Sequence, residues 1–507
     1  MATAVVEAVP AVNGQSDVAE AISRAQIDRS CRETVSIYYA SAIFWLLVGS
    51  LLALVASIKM HTPGFLAGWD WLTFGRVRPA HLNTVIYGWA SMAGVGTLLW
   101  LQARLAKVRL PLPILLPATG LVWNAGVAYG TLAILWGDGT STEWLEFPVS
   151  VLGFFGFCLV IVIYASLVMM MKRRVHHTYV SQWYLYGAVL WFPFLYISGL
   201  FLTLAPNVNG SVRAIANWWF AHNVLGLWLT PIGLASAYYF IPKVTGRPVH
   251  SYHLSLLGFW TLALFYNWAG THHLVGGPIP AWVVTVGIVG SMMMFIPVLT
   301  VAINHHMTMW GQFHHLRTSP TLRFVVFGAM SYTIVSIQGS LTALRSINEV
   351  THFTHYTIAH SHLGVYAFYS MILFGSMYYI LPRILRTEWS SAPLIKVHFW
   401  TTAIGIVMYF IGLSWAGIEQ GYMMNNADIP FLDVVAYTIP WLASRSVAGT
   451  LMTIGHVVFA VLVWRMFRGA AADQEGPTLL NTPEGLSSTV TGWLRRRSAA
   501  KSQGGAA

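Results

Sequence analysis

Six histidines stand where ligand chemistry can be done: His81 in RPAHLNTVIYGW, His222 in NWWFAHNVLG, the adjacent pair His272 and His273 in FYNWAGTHHL, and His360 with His362 in TIAHSHLG. Residues i and i+2 of an α-helix lie about 200° apart around the axis, so His360 and His362 face opposite sides and cannot hold one metal. Each is free to ligate a different haem. His81, on another helix, can supply the second axial ligand opposite His362 and complete a six-coordinate, electron-transferring haem, which leaves His360 to hold a five-coordinate haem with an open face. His222, His272 and His273 offer three neutral imidazoles without a thiolate, a set suited to copper, zinc, iron or nickel and unsuited to magnesium or calcium. Gly226 occupies the position one turn after His222 where a carboxylate ligand could have stood, and copper is the metal taken here. Tyr266, six residues before His272, falls nearly two turns deeper and towards the opposite face of the same helix. A phenol there can supply a proton and an electron, or serve as an interhelical hydrogen-bond partner.

The elements that carry these residues are apolar runs long enough to cross a bilayer, each of about 20 residues. Twelve such runs occur, at 34–58, 81–103, 113–136, 148–171, 180–204, 217–241, 253–274, 280–303, 324–347, 357–382, 397–418 and 447–467. The reading is an all-α membrane protein with twelve transmembrane helices over residues 31–468, a disordered N-terminal tail over 1–30 and a C-terminal tail over 469–507. The chain is 56% hydrophobic and 9% charged, against about 25% charged in soluble proteins, which excludes a water-soluble fold. Of the 28 Lys and Arg, 22 fall on the side that holds both termini and 6 on the other. The positive-inside rule makes that side cytoplasmic. The net charge of +11 is therefore a topology signal, and nucleic acid is not expected as a partner. With this orientation, all six imidazoles lie in the outer part of the membrane. A lone membrane histidine is ordinarily a hydrogen-bond partner between helices; six at one depth are read as ligands.

The 17 acidic residues all lie outside the spans, which counts against a carrier built on a mid-membrane carboxylate. Protons drawn from the inner side must then move on hydroxyls, imidazole and water. Ser251, Tyr252, His253 and Ser255 at the inner end of the seventh run, then Thr261, lead towards Tyr266, with Tyr238 and Tyr239 as neighbours on the sixth. His176, His177, His305, His306, His314 and His315 read as solvated residues at the inner interface, while His352 and His355 are open between propionate contacts and solvated positions. Two cysteines and no Cys-x-x-Cys-His rule out a covalently attached c-type haem in this chain.

The stretches RVRPAHLN, WWFAHNVLG, PKVTGRPVHSYHLS, FYNWAGTHHL and THYTIAHSHLG together resemble the catalytic subunit of the haem–copper oxygen reductases, most closely the C-family or cbb3-type cytochrome c oxidases. The resemblance covers roughly residues 70–465. It implies that His81 and His362 ligate a low-spin haem b, that His360 ligates a high-spin haem b3, and that His222, His272 and His273 bind copper. It further implies a covalent link between Tyr266 and His222, Arg78 and Arg445 as propionate partners, and Glu143, with Glu146 beside it, at a calcium site. Where Phe-Glu-Gly-Pro is expected in the ninth run, this chain has Ile337-Gln338-Gly339-Ser340. The implied activity is reduction of dioxygen to water by a terminal respiratory oxidase in the bacterial inner membrane, with proton uptake and pumping. Electrons would come from cytochrome c through mono- and di-haem c-type subunits. The alternative is a nitric oxide reductase large subunit, which carries non-haem iron and a glutamate one turn after the first histidine. A histidine-lined transporter without haem is a second rival.

Overall fold

In hydrocarbon every backbone polar group must be satisfied within its own segment, so apolar runs of this length fold as helices. The computed structural model describes residues 14–140 and 142–469, and no strand occurs among them. Twelve crossings follow in chain order: α1 Gly14–His61, α2 Phe74–Ala106, α3 Leu115–Trp136, α4 Val151–Met171, α5 Val180–Leu204, α6 Gly210–Thr245, α7 Tyr252–Ala269, α8 Ala281–Met309, α9 Pro320–Thr342, α10 His355–Leu385, α11 Ala392–Met424 and α12 Phe431–Gly469. Eleven are long and apolar enough to cross a membrane on composition alone. The remaining one, α7, is diluted by Tyr252, His253, Tyr266 and Asn267 and continues through a 3-10 turn, Gly270–Leu274.

Burial singles out three helices. The apolar windows of α2, α6 and α10 are 94%, 89% and 83% buried, whereas those of the other helices of this set are 39–50% buried. These three stand at the centre of the bundle, and they carry His81, His222, His360 and His362. Each is also interrupted by a π-helical turn just after a histidine: Thr84–Ala90 in α2, Leu225–Leu229 in α6 and Leu363–Ser370 in α10. Such bulges insert a residue into the helix and recur at functional sites.

One expectation needs correction. Residues 14–30, read as tail, belong to α1. Asp28 is buried in an ion pair with Arg104 at 2.8 Å and accepts from the Trp100 indole at 2.9 Å, while Ile27 and Cys31 sit in the core. A buried pair of this kind costs about 3–5 kcal/mol to break by losing one partner, so this stretch is pinned to α2. Its few apolar residues, spread along a polar sequence, hid that anchoring. Residues 1–13 and 470–507, the rest of the two expected tails, lie outside the described residues.

Candidate metal centre

His222 on α6 and the pair His272 and His273 in the 3-10 turn place one candidate ligand atom each within 4.8 Å of one another. A 3-10 turn winds more tightly than an α-helix. It therefore re-aims His272 relative to the phase expected from Tyr266, and both reach His222. The His222 and His272 rings lie 5.3 Å apart, and the Tyr266 ring faces His222 at 4.3 Å with a 27° interplanar angle. His273 stacks on Trp218 at 4.2 Å. The Nδ1 of His222 is buried without a hydrogen-bond partner, as expected of a nitrogen kept for a metal. Gly226 has a steric reason: a Cβ there would run into the Tyr266 ring. A side-chain ligand at that position and the phenol on α7 exclude each other.

His360 lies within electrostatic reach of His222, His272 and His273. Its Nδ1 is 3.1 Å from the Gln338 side-chain oxygen on α9. An amide oxygen only accepts, so Nδ1 carries the proton and Nε2 is left bare. A Cβ at Gly339 would stand 3.0 Å from the His360 ring, so that glycine lets α9 close on the imidazole.

His362 turns to the other side of α10, as the 200° argument requires. With His81 it lines an open-mouthed cavity of about 800 Å³, its mouth included, walled by Leu46, Val85, Trp89, Val365 and Met452. The Nδ1 atoms of His81 and His362 lie 2.9 Å from the carbonyls of Gly49 and Ile358 respectively, which again leaves both Nε2 atoms as ligands. The Tyr409 hydroxyl reaches the His362 Nε2 at 3.3 Å, a weak contact that a metal would displace. Arg445 also lines the cavity. Its Nη1 contacts the Met60 sulfur at 2.8 Å, and its buried Nε has no hydrogen-bond partner. An apolar slot with two imidazoles and a cation at its wall fits a haem with acidic side arms.

Sequence reasoning missed His456 and His398, two polar residues in otherwise apolar spans. His456 lines the same cavity, bonded to Ser50 at 2.8 Å and to the Tyr366 hydroxyl at 2.6 Å. His398 bonds the Tyr378 hydroxyl at 2.8 Å.

Arg78 and Glu143 are joined to each other in an ion pair of 2.5 Å. Glu146 is buried and accepts from Asn83 at 2.6 Å. Among the described residues, only the three imidazoles form a group of three or more candidate ligands. Burial pushes the Glu146 carboxyl up to about 7, against the opposing Asn83 bond. A carboxyl raised above its unfolded value of about 4.3 favours the neutral form in the fold. Its contribution to stability is therefore complete at low pH and lost as pH rises through about 7. In chelator, the thermal stability of the complex is expected to fall between roughly pH 4 and 7 by this effect and to level off above it, and Glu146→Gln to flatten the fall. An equal decline in that variant counts against the assignment.

Of the residues expected on a proton path, Ser255 and Tyr238 meet. Asn304 on α8 donates to the Tyr238 hydroxyl at 3.3 Å and to the Ser255 hydroxyl at 3.1 Å, and it accepts from the Ser251 backbone at 2.8 Å. Tyr252 is half-buried and bonds Thr178. His253 and Thr261 fall elsewhere: His253 is exposed, and Thr261 back-bonds to Leu257 on the face that carries Trp260, Leu264 and Trp268 outward. Polarity alone points to both, whereas the inward face of α7 runs through Ser255, Phe259 and Leu262. His305, read as solvated, is 3% exposed and packs on Tyr238 at 4.6 Å. The buried stripe Val298, Val301, His305, Thr308 on α8 was the available signal. Both His305 nitrogens and the hydroxyls of Tyr184 and Tyr332 lack partners. Buried water characteristically fills such gaps.

A membrane bundle whose three central helices hold imidazoles around two separate spaces brings together ligands for metal groups within the membrane. Residues 33–451 match the family described as Cytochrome C and Quinol oxidase polypeptide I. The chain belongs to that family, subunit I of the haem–copper oxidases, and it is of the cytochrome c oxidase type. It is 31% identical over 445 residues to the Cbb3-type cytochrome c oxidase subunit CcoN1 of Stutzerimonas stutzeri, covering 84% of this chain and 93% of that one. It is also 31% identical to a cytochrome c oxidase subunit 1 of Rhodobacter capsulatus, over 83% of this chain and 82% of that one. A nitric oxide reductase polypeptide of Stutzerimonas stutzeri is 25% identical over 51% of this chain and 57% of its own length. Among solved structures, a heme-copper terminal oxidase dimer shares the fold, with a TM-score of 0.64 at 17% identity over 89% of this chain and 86% of that one.

Proposed function

We propose that this chain is the catalytic subunit of a terminal oxidase that reduces dioxygen to water. Its electrons come from c-type cytochrome, through membrane-bound mono- and di-haem subunits. The observation that carries the reading is the convergence of His222, His272 and His273 with the Tyr266 ring occupying the space beside Gly226. When bound, a high-spin haem and copper supply the electron transfer to dioxygen. His360 would hold the former; the three imidazoles would hold the latter. His81 and His362 would hold a low-spin haem b, with Arg445 and Arg78 towards its propionates. Tyr266, against His222, would give a proton and an electron at its phenol oxygen and be linked covalently to that imidazole. The nitric oxide reductase reading needs a carboxylate at position 226, and the Tyr266 ring leaves no room for one.

Ser255, Asn304, Tyr238 and His305 mark the inner leg of proton supply, and the Tyr184 and Tyr332 hydroxyls continue it towards Tyr266. By the distribution of Lys and Arg the termini are cytoplasmic, and the bacterial inner membrane is the location. A calcium ion at Glu143 and Glu146 belongs to the same reading; it must draw Glu143 away from Arg78. Metal analysis of the purified complex tests the proposal. Copper in a one-to-one ratio with this chain is expected, with b-type bands in a reduced-minus-oxidised spectrum. Non-haem iron in copper's place would favour the reductase, and absence of haem bands would refute the haem assignments.

A further inference from the structure

The face of α8 towards the end of α7 is built of small residues. A Cβ at Gly287 would stand 2.7 Å from the His272 backbone nitrogen, and one at Gly290 would stand 3.2 Å from the Phe265 carbonyl oxygen. The Thr271 hydroxyl donates to the Val283 carbonyl at 2.9 Å. Together these clamp the histidine-bearing 3-10 turn onto α8. Ser291, one helical step beyond Gly290, then places its hydroxyl oxygen 2.7 Å from the His272 Nδ1 and 2.7 Å from the Gly287 carbonyl oxygen.

A serine hydroxyl has one proton to give and lone pairs to receive with. The Gly287 carbonyl can only accept, so it takes that proton. Ser291 consequently meets His272 with a lone pair, and the imidazole answers with Nδ1–H. The tautomer is thereby fixed and Nε2 is the nitrogen left bare.

We propose that Ser291 is a positioning residue for copper: it holds His272 in the Nδ1–H tautomer and aims its Nε2 at the space shared with His222 and His273. The inference rests on the copper reading above and adds to it the group that orients one ligand. Hydrogen-bond partners of metal-ligating histidines typically contribute about 10–100-fold in metal affinity.

The test is chelator competition for copper on the purified complex with its partner subunits, with the haem spectrum as a control for folding. Ser291→Ala is expected to lower copper affinity about 10–100-fold while both haem signals persist. Ser291→Thr keeps the hydroxyl and should hold copper near the wild-type level; Ser291→Val, of the same shape without the hydroxyl, should lose it like alanine. The Thr and Val pair decides the matter if the alanine variant fails to assemble. Wild-type copper affinity in the alanine or valine variant overturns the inference, as does equal loss in the threonine and valine variants. A wild-type complex that binds no copper refutes instead the reading on which it rests.

Discussion

Tyr266→Phe is expected to assemble with both haems and copper in place and to lose nearly all turnover. The phenyl ring still fills the space beside Gly226 and still faces His222, so packing is unchanged. Only the hydroxyl goes, and with it the proton, the electron and any link to the imidazole. A positioned proton donor contributes about 10²–10⁴-fold to a rate, and the phenol is assigned more than proton transfer. Oxygen consumption should therefore fall by at least about 10²-fold. Polarography on a preparation with normal haem spectra measures this. Substantial oxygen uptake by that variant would remove Tyr266 from the chemistry.

The second large effect belongs to His81→Ala and His362→Ala. Each ring is one of two imidazoles lining a single cavity, with its Nδ1 pinned to a carbonyl of Gly49 or Ile358. Losing either should abolish the six-coordinate low-spin signal, because no other imidazole stands ready to replace it. His456, in the same cavity, already uses both nitrogens on Ser50 and Tyr366. The high-spin signal at His360 should survive, since that ring is on the opposite side of α10 and is held by Gln338. A normal low-spin spectrum from either variant would break the axial pairing.

The six histidines were legible because few residue types do ligand chemistry and because a 200° offset separates His360 from His362 whatever the surroundings. The spans were legible because hydrocarbon permits little else. Phase was the weak point. Thr261 and His253 are polar but lie away from the buried face of α7, and His305 is buried but sits beside an inner loop that suggested solvent. Asp28 shows a different blindness: its partner Arg104 is on another helix, and no local pattern announces a long-range ion pair. Gln338 was visible as a departure, and the structure explains what it does. It accepts from the His360 imidazole as a neutral amide, which stabilises less positive charge on that ring than a carboxylate in the same place; with His360 as the proposed axial ligand, that hydrogen bond would be one of the levers on haem potential.

The π-helical turns after His81, His222 and His362 also bear on how such a protein can vary. Each adds a residue to one turn, so the helical register on the far side no longer follows from the register at the ligand. The three helices are in effect jointed: a substitution that rotates the anchoring half need not swing the imidazole, and the ligand end can be retuned while the packed half stays put. Removing one residue from any of these turns would fuse the two registers and set the histidine against its own scaffold.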